Sequence, residues 1–428
     1  MTTPTPKQIQ SLFDYLNTSL TAFHTVSATE KLLKTAGFKE FSEKEIWETP
    51  ANTAGYVIRN HSGILAFRVG SHPAEGFRIV AAHTDSPSLK IKWAGAHTVN
   101  GFLQLPVEVY GGPILSTWLD KPLTIAGRYV SMKDGKVCQK LVQSSPNQAT
   151  IPNLAIHMNH KINNGFSYNP QTHLTAFCGD TTVQELLASM QVHDPDAIQE
   201  GRLECFLADS SQAALLGQKQ DWLQSPRLDN LASCYAAATA LVQSTEDTAH
   251  TKVIFLSDNE EVGNLSAAGA ASNFLRDTLT RLIPESTHPQ QFFLCALAKS
   301  QMLSEDAAHA THPSYPESCD SNYPCLLNSG PVVKENGKLR YATNAESQAS
   351  FQALCKNAKI PLQSFIMRSD LPCGTTIGPV TSAKLGIPTV DIGIPMWSMH
   401  SARETAGIHD LFSLQQATQL FLEKERYA

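Results

Sequence analysis

The sequence has few of the features that mark secreted, membrane or nucleic-acid-binding proteins. It shows no basic segment followed by an apolar one at its start, as a signal peptide would. No apolar run approaches the roughly 18–20 residues that span a bilayer, and a net charge of -6 gives no basic surface for nucleic acid. Nine cysteines without a Cys-x-x-Cys pair argue against a disulfide framework or a cysteine zinc site. We therefore expect a cytoplasmic protein that binds neither membrane nor nucleic acid.

The sequence also lacks the local signatures of common catalytic sites. It contains neither the Gly-x-Ser-x-Gly elbow of serine hydrolases nor a phosphate-binding P-loop. A cysteine nucleophile has no local signature either, and for Cys373, the best placed of the thiols, packing is the simpler interpretation. These absences direct attention to histidines and carboxylates.

Length and hydrophobic patterning predict an α/β protein. At 428 residues with 42% hydrophobic content, the chain can bury one large core or two ordinary ones. Short apolar runs that are typical of buried strands cover residues 77–82, 253–256 and 385–395. Helical periodicity covers residues 7–37 and 411–426.

Residues 94–225 differ in character, because short β-like runs alternate there with glycine and proline. We interpret this stretch as a β-rich domain inserted into the first one. The expected organisation is a catalytic domain over residues 1–93 and 226–428, interrupted by the insertion at 94–225.

The stretch SDNEEVGN, residues 257–264, is the most informative segment for chemistry. It follows the predicted strand at 253–256, and ligands and catalytic groups collect at the carboxyl ends of strands in α/β sheets. Glu260 and Glu261 are adjacent, so their side chains point in different directions. One of them can hold a metal while the other handles protons. An acidic loop that faces water is the alternative.

A second strand end carries His83 and Asp85. Residues two apart on an extended chain share a face, so Asp85 can reach the imidazole of His83 and fix its tautomer. Metal-binding histidines usually have such a partner. A histidine without a ligand role is the alternative.

Further candidates lie near other predicted strand ends and helix starts. Asp229 begins a predicted helix, where an N-terminal cap is an equal alternative. Residues 302–316, expected to form an irregular loop, carry two acids and two histidines, and His400 follows the last predicted strand. Two histidines and three carboxylates suit two zinc ions with one bridging carboxylate, and an extra glutamate would be the base. The combined candidates are His83, Asp229, Glu260, Glu261, Asp306 and His400.

Three other stretches carry polar groups of interest. Residues 330–344 predict a hairpin that turns at Asn336-Gly337 and carries Lys334 and Tyr341 on its arms, although exposed strand lysines are usually edge protection. Backbone N–H groups of residues 374–376 at a predicted helix start suit an anion. His157 follows an apolar run in the predicted insertion, where a structural histidine on a strand is the simpler interpretation.

Several long motifs resemble the aspartyl aminopeptidase family, in order over nearly the whole chain. They are AAHTDSPSLKIK, VEVYGG, IPNLAIHMN, SPRLDNLAS, SDNEEVGN, HATHPSYP, CGTTIGP and MHSARE. The resemblance implies a dinuclear zinc exopeptidase that removes N-terminal Asp or Glu from peptides, with Co²⁺ or Mn²⁺ as substitutes for Zn²⁺. It implies a three-layer α/β catalytic domain with a mixed central sheet, interrupted by a β-rich domain for subunit contact, and assembly as a tetrahedral homo-dodecamer.

The resemblance also implies a role for each matching residue. Metal ligands would be His83, Asp229 as the bridge, Glu261, Asp306 and His400; His157 would bind metal or reach the site of a neighbouring subunit. Glu260 would be the general base, and Asp85 would orient His83. The substrate would meet Lys334, which would hold its acidic side chain, and Tyr341, His309, Gly374, Thr375 and Met399.

The chain departs from the family pattern at two places. Residues 117–123 read TWLDKPL where relatives often have TWFDRDL, which affects contacts of the inserted domain, and Asn259 replaces a more usual histidine. Two alternatives remain: a dinuclear zinc aminopeptidase or N-acyl amino acid hydrolase of other specificity, and a catalytically silent scaffold of the same fold.

Overall fold

The computed structural model describes residues 3–283 and 288–424. Within these ranges the α-helices are α1 (Pro6–Thr18), α2 (Ala22–Thr35), α3 (Pro170–His173), α4 (Val183–Ser189), α5 (Leu228–Gln243), α6 (Phe274–Arg281), α7 (Pro289–Lys299), α8 (Ala345–Asn357), α9 (Ile377–Leu385) and α10 (Ile408–Glu423). None of these helices is long and apolar enough to cross a membrane. The predicted helix over 411–426 matches α10, but residues 425 and 426 lie outside the described residues.

A mixed nine-stranded sheet forms the centre of the molecule. Its strands are β1 (Lys39–Glu40), β2 (Ala54–Arg59), β3 (Gly63–Arg68), β4 (Phe77–His83), β15 (Thr251–Ser257), β16 (Gln301–Glu305), β18 (Val332–Glu335), β19 (Gln363–Ile366) and β20 (Thr389–Gly393). Their spatial order is β1-β2-β3-β15-β4-β16-β20-β18-β19. The four middle strands, β15, β4, β16 and β20, run parallel to one another.

Helices cover both faces of this sheet because successive strand residues point to opposite sides. On β15, Ile254 and Leu256 pack into a core cluster with α1, α2, α5, α8 and α10. Val253 and Phe255 pack on the opposite face with α6, α7 and α9. Strands buried on both faces read as continuous apolar runs, which is why the runs at 77–82 and 253–256 identified them. The predicted three-layer α/β class with a mixed sheet is confirmed.

The remaining strands form three smaller sheets. One contains β5 (Ser88–Ile91), β8 (Val107–Tyr110), β9 (Leu123–Lys133), β10 (Lys136–Gln143) and β12 (Leu203–Asp209); a second contains β6 (His97–Val99), β7 (Phe102–Leu105) and β11 (Ala176–Phe177). A third contains β13 (Ala214–Leu216), β14 (Trp222–Ser225), β17 (Ala308–His309), β21 (Pro395–Trp397) and β22 (Glu404–Gly407).

Strand pairing bears on the limits of the inserted unit. β5 pairs with β8 and β12 of the insertion, although it precedes the predicted limit at 94. β14 pairs with β22 near the end of the chain, although it precedes the predicted limit at 225. We therefore propose residues 88–209 as the inserted unit in place of 94–225.

Two local predictions were wrong. Residues 330–344 do not form a hairpin: β18 pairs with β19 on one side and β20 on the other, so the Asn336-Gly337 turn signal loses to pairing with distant strands. Residues 302–305 belong to β16 and not to an irregular loop, because β4 and β20 flank them on both sides. In each case long-range pairing decides the local structure.

Phe255 tests the buried sheet face that packs on α6. Its side chain is fully buried and its ring lies 5.8 Å from that of Phe274. We expect Phe255→Ala to lower the free energy of unfolding by about 3–5 kcal/mol, because a large cavity remains. Leu265→Ala, at an 87% exposed position, should change it by no more than about 0.5 kcal/mol. Chemical denaturation measures both, and equal effects would contradict the described core.

Candidate metal centre

Three adjacent parallel strands bring polar side chains to one edge of the central sheet. His83 is the last residue of β4, and Asp306 follows the end of β16 directly. Glu260 and Glu261 stand just after β15, on the opposite side of β4. Since parallel strands end at the same edge, these four residues meet, as the sequence pattern predicts.

Asp229 and His400 reach the same place from other elements. Asp229 lies in the first turn of α5 with non-helical torsions, φ -81° and ψ 102°, and α5 packs against β4. His400 follows β21 with a positive φ of 67°. The structure thus brings all six residues of the predicted cluster together.

The carboxylate of Asp229 lies between the two histidines. Its Oδ1 is 3.3 Å from Nε2 of His83, and its Oδ2 is 3.7 Å from Nε2 of His400. An oxygen of Asp306 lies 3.5 Å from the first imidazole, and an oxygen of Glu261 lies 3.5 Å from the second. Each oxygen of Asp229 therefore faces its own pair of one histidine and one further carboxylate.

These residues fit metal ions. Ligand atoms of His83, Asp229 and Glu261 lie within 4.8 Å of one another. Oδ1 of Asp229 and Oε1 of Glu261 are buried and have no hydrogen-bond donor among the described residues. Buried carboxylate oxygens without a donor are costly unless a cation satisfies them. Imidazole nitrogens and carboxylate oxygens are ligand atoms that suit zinc.

The acidity of the two glutamates reflects the same crowding. Burial raises the pKa of Glu261 well above its usual range, and the charge of Asp229 adds to this shift. Burial also raises the pKa of Glu260 to about 8, and Asp306 and Asp229 contribute in the same direction. A bound cation reverses such effects, because it stabilises the ionised carboxylates.

Both histidines are held with Nε2 directed into the cluster. Nδ1 of His83 lies 3.2 Å from the carbonyl oxygen of Asp85, and Nδ1 of His400 lies 3.1 Å from that of Gly112. A carbonyl oxygen only accepts, so Nδ1 carries the proton in each ring. In the neutral ring, Nε2 is then the unprotonated nitrogen, which is the form that a metal ligand requires.

Lys334 lies beside the cluster and is 1% exposed. Its Nζ donates to the carbonyl oxygens of Asp306 and Ala307 at 3.0 and 3.1 Å, and lies 3.9 Å from Oδ2 of Asp306. Burial is the largest influence on Asp306 and would raise its pKa, but the Lys334 charge, the His83 imidazole and the Ala307 N–H together lower that pKa. The ring centroid of Tyr341 is 5.1 Å from Nζ. The alternative interpretation of Lys334 as an exposed edge residue is wrong.

Other predicted site residues lie at varying positions. His309 on β17 stands close enough for Lys334 to lower the pKa of its imidazole, although burial is the larger cause. Met399 packs against the main core cluster beside His400. Gly374 and Thr375 are exposed, and the Thr375 hydroxyl donates to the carbonyl oxygen of residue 340.

His157 is not brought to the cluster within this chain. It is exposed in a turn of the inserted unit and does not lie on a strand. Its predicted role as a ligand or as a contact to a neighbouring subunit stays a prediction.

Glu404 and Tyr110 were missed by reasoning from the sequence. The buried carboxylate of Glu404 accepts hydrogen bonds from the backbone N–H groups of Asp229 at 3.0 Å and His400 at 2.7 Å. The Tyr110 hydroxyl donates to Asp85 at 2.8 Å. Both residues lie in motifs that support the family resemblance, MHSARE and VEVYGG, and no local pattern marks either one.

Histidines and carboxylates gathered at one edge of the central sheet in a three-layer α/β unit are typical of a metal-dependent hydrolase. The family model for aminopeptidase I zinc metalloproteases, M18, matches residues 15–422. A probable M18 family aminopeptidase 2 of Ectopseudomonas mendocina is 42% identical over 425 residues, which cover 96% of this chain and 97% of the relative. The chain therefore belongs to the M18 family of zinc aminopeptidases, which confirms the family expected from the motifs.

Solved structures agree with this assignment. Ape4, in a cryo-EM structure of the Ape4 and Nbr1 complex, matches with a TM-score of 0.90 and 34% identity, covering 97% of this chain and 85% of that chain. The S. cerevisiae mApe1 dodecamer matches with a TM-score of 0.83 and 25% identity, covering 97% and 96%.

Asp229 provides a direct test of the centre. Because each of its oxygens faces a separate pair of side chains, we expect Asp229→Asn to weaken zinc binding by at least about 100-fold. Loss of a residue that only supports a metal ligand weakens metal affinity by up to about 100-fold, and loss of a ligand should cost at least as much. Asp247→Asn makes the same substitution in an exposed loop and should leave zinc content unchanged. Metal analysis of the purified proteins after gel filtration decides, and full zinc content in Asp229→Asn would remove this residue from the ligand set.

Proposed function

We propose that this protein removes an N-terminal Asp or Glu from peptides at a site with two zinc ions. The proposed ligands are His83, Asp229, Glu261, Asp306 and His400. The observation that carries the proposal is the Asp229 carboxylate, whose two oxygens face two separate histidine–carboxylate pairs. Such an arrangement suits a carboxylate that bridges two metal ions. Co²⁺ or Mn²⁺ could take the place of zinc at both positions.

Zinc bound here would polarise the scissile carbonyl and lower the pKa of water toward about 7. Glu260 would take the proton from the attacking water and pass it to the leaving amine. Its backbone N–H donates to Asp85 at 3.1 Å, which anchors the residue, while its carboxylate stands among His83, Asp306 and Asp229. This placement at the edge of the ligand set supports Glu260 as the general base.

A substrate with a free α-amino group suits this site. The amino group would be held by a carboxylate or by a metal ion, and an internal peptide bond offers no such group. This argument supports removal of the first residue in preference to internal cleavage.

Lys334 supports a preference for acidic residues. An ammonium group has three N–H donors, and two of them bond the carbonyl oxygens of Asp306 and Ala307. One donor remains for the carboxylate of a substrate side chain, with Tyr341 and His309 beside it. The deep burial of Lys334 also favours a second candidate, an aminopeptidase for neutral residues in which Lys334 only holds Asp306.

We also propose a cytoplasmic homo-dodecamer, like the one named for mApe1. The inserted unit exposes Leu154, Ile156 and Met158 on both sides of His157. Three large apolar side chains in one exposed segment are typical of a surface that another subunit covers. In that assembly His157 would reach a neighbouring site.

Glu260→Gln tests the general base. The amide keeps the size of the side chain but cannot accept the proton, so we expect zinc content to persist and kcat to fall by about 10²–10⁴-fold. Glu246→Gln, on an exposed loop, should keep the parent rate. Steady-state kinetics with parallel metal analysis makes the comparison, and a nearly normal kcat in Glu260→Gln would eliminate this glutamate as the base.

Lys334→Met tests the specificity, with chromogenic substrates that begin with Asp, Glu, Leu, Ala or Lys. A hydrogen bond to a charged group is worth about 1.5–3 kcal/mol, so the Asp-to-Leu ratio of kcat/KM should fall about 10–150-fold. All activity should vanish on chelation and return with zinc, cobalt or manganese.

Lys252→Met is the matched control. Lys252 is also 1% exposed, and its Nζ also donates to two carbonyl oxygens, those of Ser244 and Glu246. It should keep the acidic preference. If the preference for acidic residues survives in Lys334→Met, Lys334 does not select the substrate. Metal-dependent activity of the parent protein on neutral residues would favour the second candidate. A parent protein without activity under any metal would support a silent scaffold.

A further inference from the structure

The inserted unit contacts the metal centre through three consecutive residues that follow β8. The hydroxyl of Tyr110 donates to Oδ2 of Asp85 at 2.8 Å, and the carbonyl oxygen of Gly112 accepts from Nδ1 of His400 at 3.1 Å. Between them, a Cβ atom on Gly111 would lie 3.1 Å from Cβ of Glu261 and 3.4 Å from its Oε2. Residues 110–112 therefore form one wall of the cluster, which the catalytic unit does not supply.

Asp85 connects Tyr110 to three members of the cluster. Its carboxylate accepts the backbone N–H groups of Glu260 and Glu261, each at 3.1 Å, and its Oδ1 lies 3.3 Å from Nδ1 of His83. Tyr110 is the fourth group on the same carboxylate. The position of Asp85 thus affects the histidine and both glutamates together.

Asn259 sets the direction of the Tyr110 hydrogen bond. Its Nδ2 donates to the Tyr110 oxygen at 2.9 Å. A phenol has a single proton, so a hydroxyl that accepts from Asn259 gives its proton to Asp85. The chain Asn259–Tyr110–Asp85 is complete, with each donor matched to an acceptor.

We propose that residues 110–112 are a positioning segment through which the inserted unit sets the zinc ligands. Tyr110 acts through Asp85 on His83, Glu260 and Glu261, and the carbonyl of Gly112 acts on His400. The segment therefore contacts His400 directly and reaches His83 through Asp85. This inference rests on the proposed zinc ligand set.

Tyr110→Phe removes only the hydroxyl. We expect zinc affinity, measured by competition with a chromogenic chelator on the full-length protein, to fall about 10–100-fold, as when a partner of a ligand is lost. Excess zinc should restore most of the peptidase activity, and circular dichroism of the zinc-free protein should match the parent.

Tyr129→Phe is the matched control for the hydroxyl. Tyr129 belongs to the same inserted unit and its hydroxyl also donates to an aspartate, Asp194, at 2.7 Å. That pair lies outside the metal centre. Tyr129→Phe should bind zinc as the parent does.

Gly111→Ala tests the close approach to Glu261. Gly111 has φ +72°, and Gly135, in the turn between β9 and β10, has φ +71° with no atom within 4 Å of an added Cβ. Both alanine variants therefore carry similar backbone strain, but only Gly111→Ala presses on the cluster. We expect Gly111→Ala to lose zinc affinity by at least about 10-fold, and Gly135→Ala to keep it.

Asn259→Asp provides a variant that keeps Tyr110 in place. A carboxylate at 259 accepts the phenol proton, which leaves Asp85 without that donor, and aspartate tolerates the positive φ of 62°. Zinc affinity should fall here too, and this variant decides if Tyr110→Phe does not fold.

The outcomes distinguish the positioning role of residues 110–112 from the proposed zinc ligand set. Variants at 110, 111 and 259 that bind zinc as tightly as the two controls would overturn the positioning role while the parent keeps its zinc. A parent protein that binds no zinc would instead overturn the ligand set. Loss of affinity in the three variants, with both controls unchanged, supports the proposal.

Discussion

The repulsion among buried carboxylates is the constraint on which the metal centre depends. Asp229, Glu261 and Asp306 approach two imidazole rings from different elements, and two of their oxygens have no donor among the described residues. Water cannot compensate these charges at such burial, so the arrangement is stable only with a cation or with protons. In the metal-free protein, the pKa values of Glu260 and Glu261 are raised, which corresponds to compensation by protons. With zinc bound, these carboxylates would be held ionised without the protons.

The surrounding structure serves to hold like charges where they would otherwise separate. Parallel strands β15, β4 and β16 end side by side, and their hydrogen bonds leave little freedom at the edge where the proposed ligands lie. Glu404 anchors the backbone of Asp229 and His400, and Asp85 anchors that of Glu260 and Glu261. Both anchors are themselves acids that bond backbone N–H groups. The centre is therefore flanked by two further carboxylates, whose charges are compensated by hydrogen bonds from backbone amides and not by a metal ion.

Elements marked by local sequence pattern were predictable. Apolar runs identified β4, β15 and β20. Residue type near predicted strand ends and helix starts identified the six members of the cluster, although the stretch around Asp306 was expected to be an irregular loop. Elements decided by distant pairing were not: β18 lacks the expected hairpin partner, and β5 and β14 pair across the expected domain limits. Glu404 and Tyr110 escaped notice for a related reason. Their function lies in contacts to residues far away in sequence, and no spacing rule encodes such contacts.

The position of the inserted unit gives the centre a dependence that neither unit has alone. The catalytic unit supplies all five proposed ligands, yet Gly112 sets the tautomer of His400 and Tyr110 completes the bonding of Asp85. Movement of the inserted unit relative to the sheet would loosen one partner of each histidine at the same time. If the exposed apolar segment of that unit binds another subunit, assembly restrains this movement. Zinc affinity and subunit assembly would then be linked through residues 110–112, because both depend on the position of one structural unit.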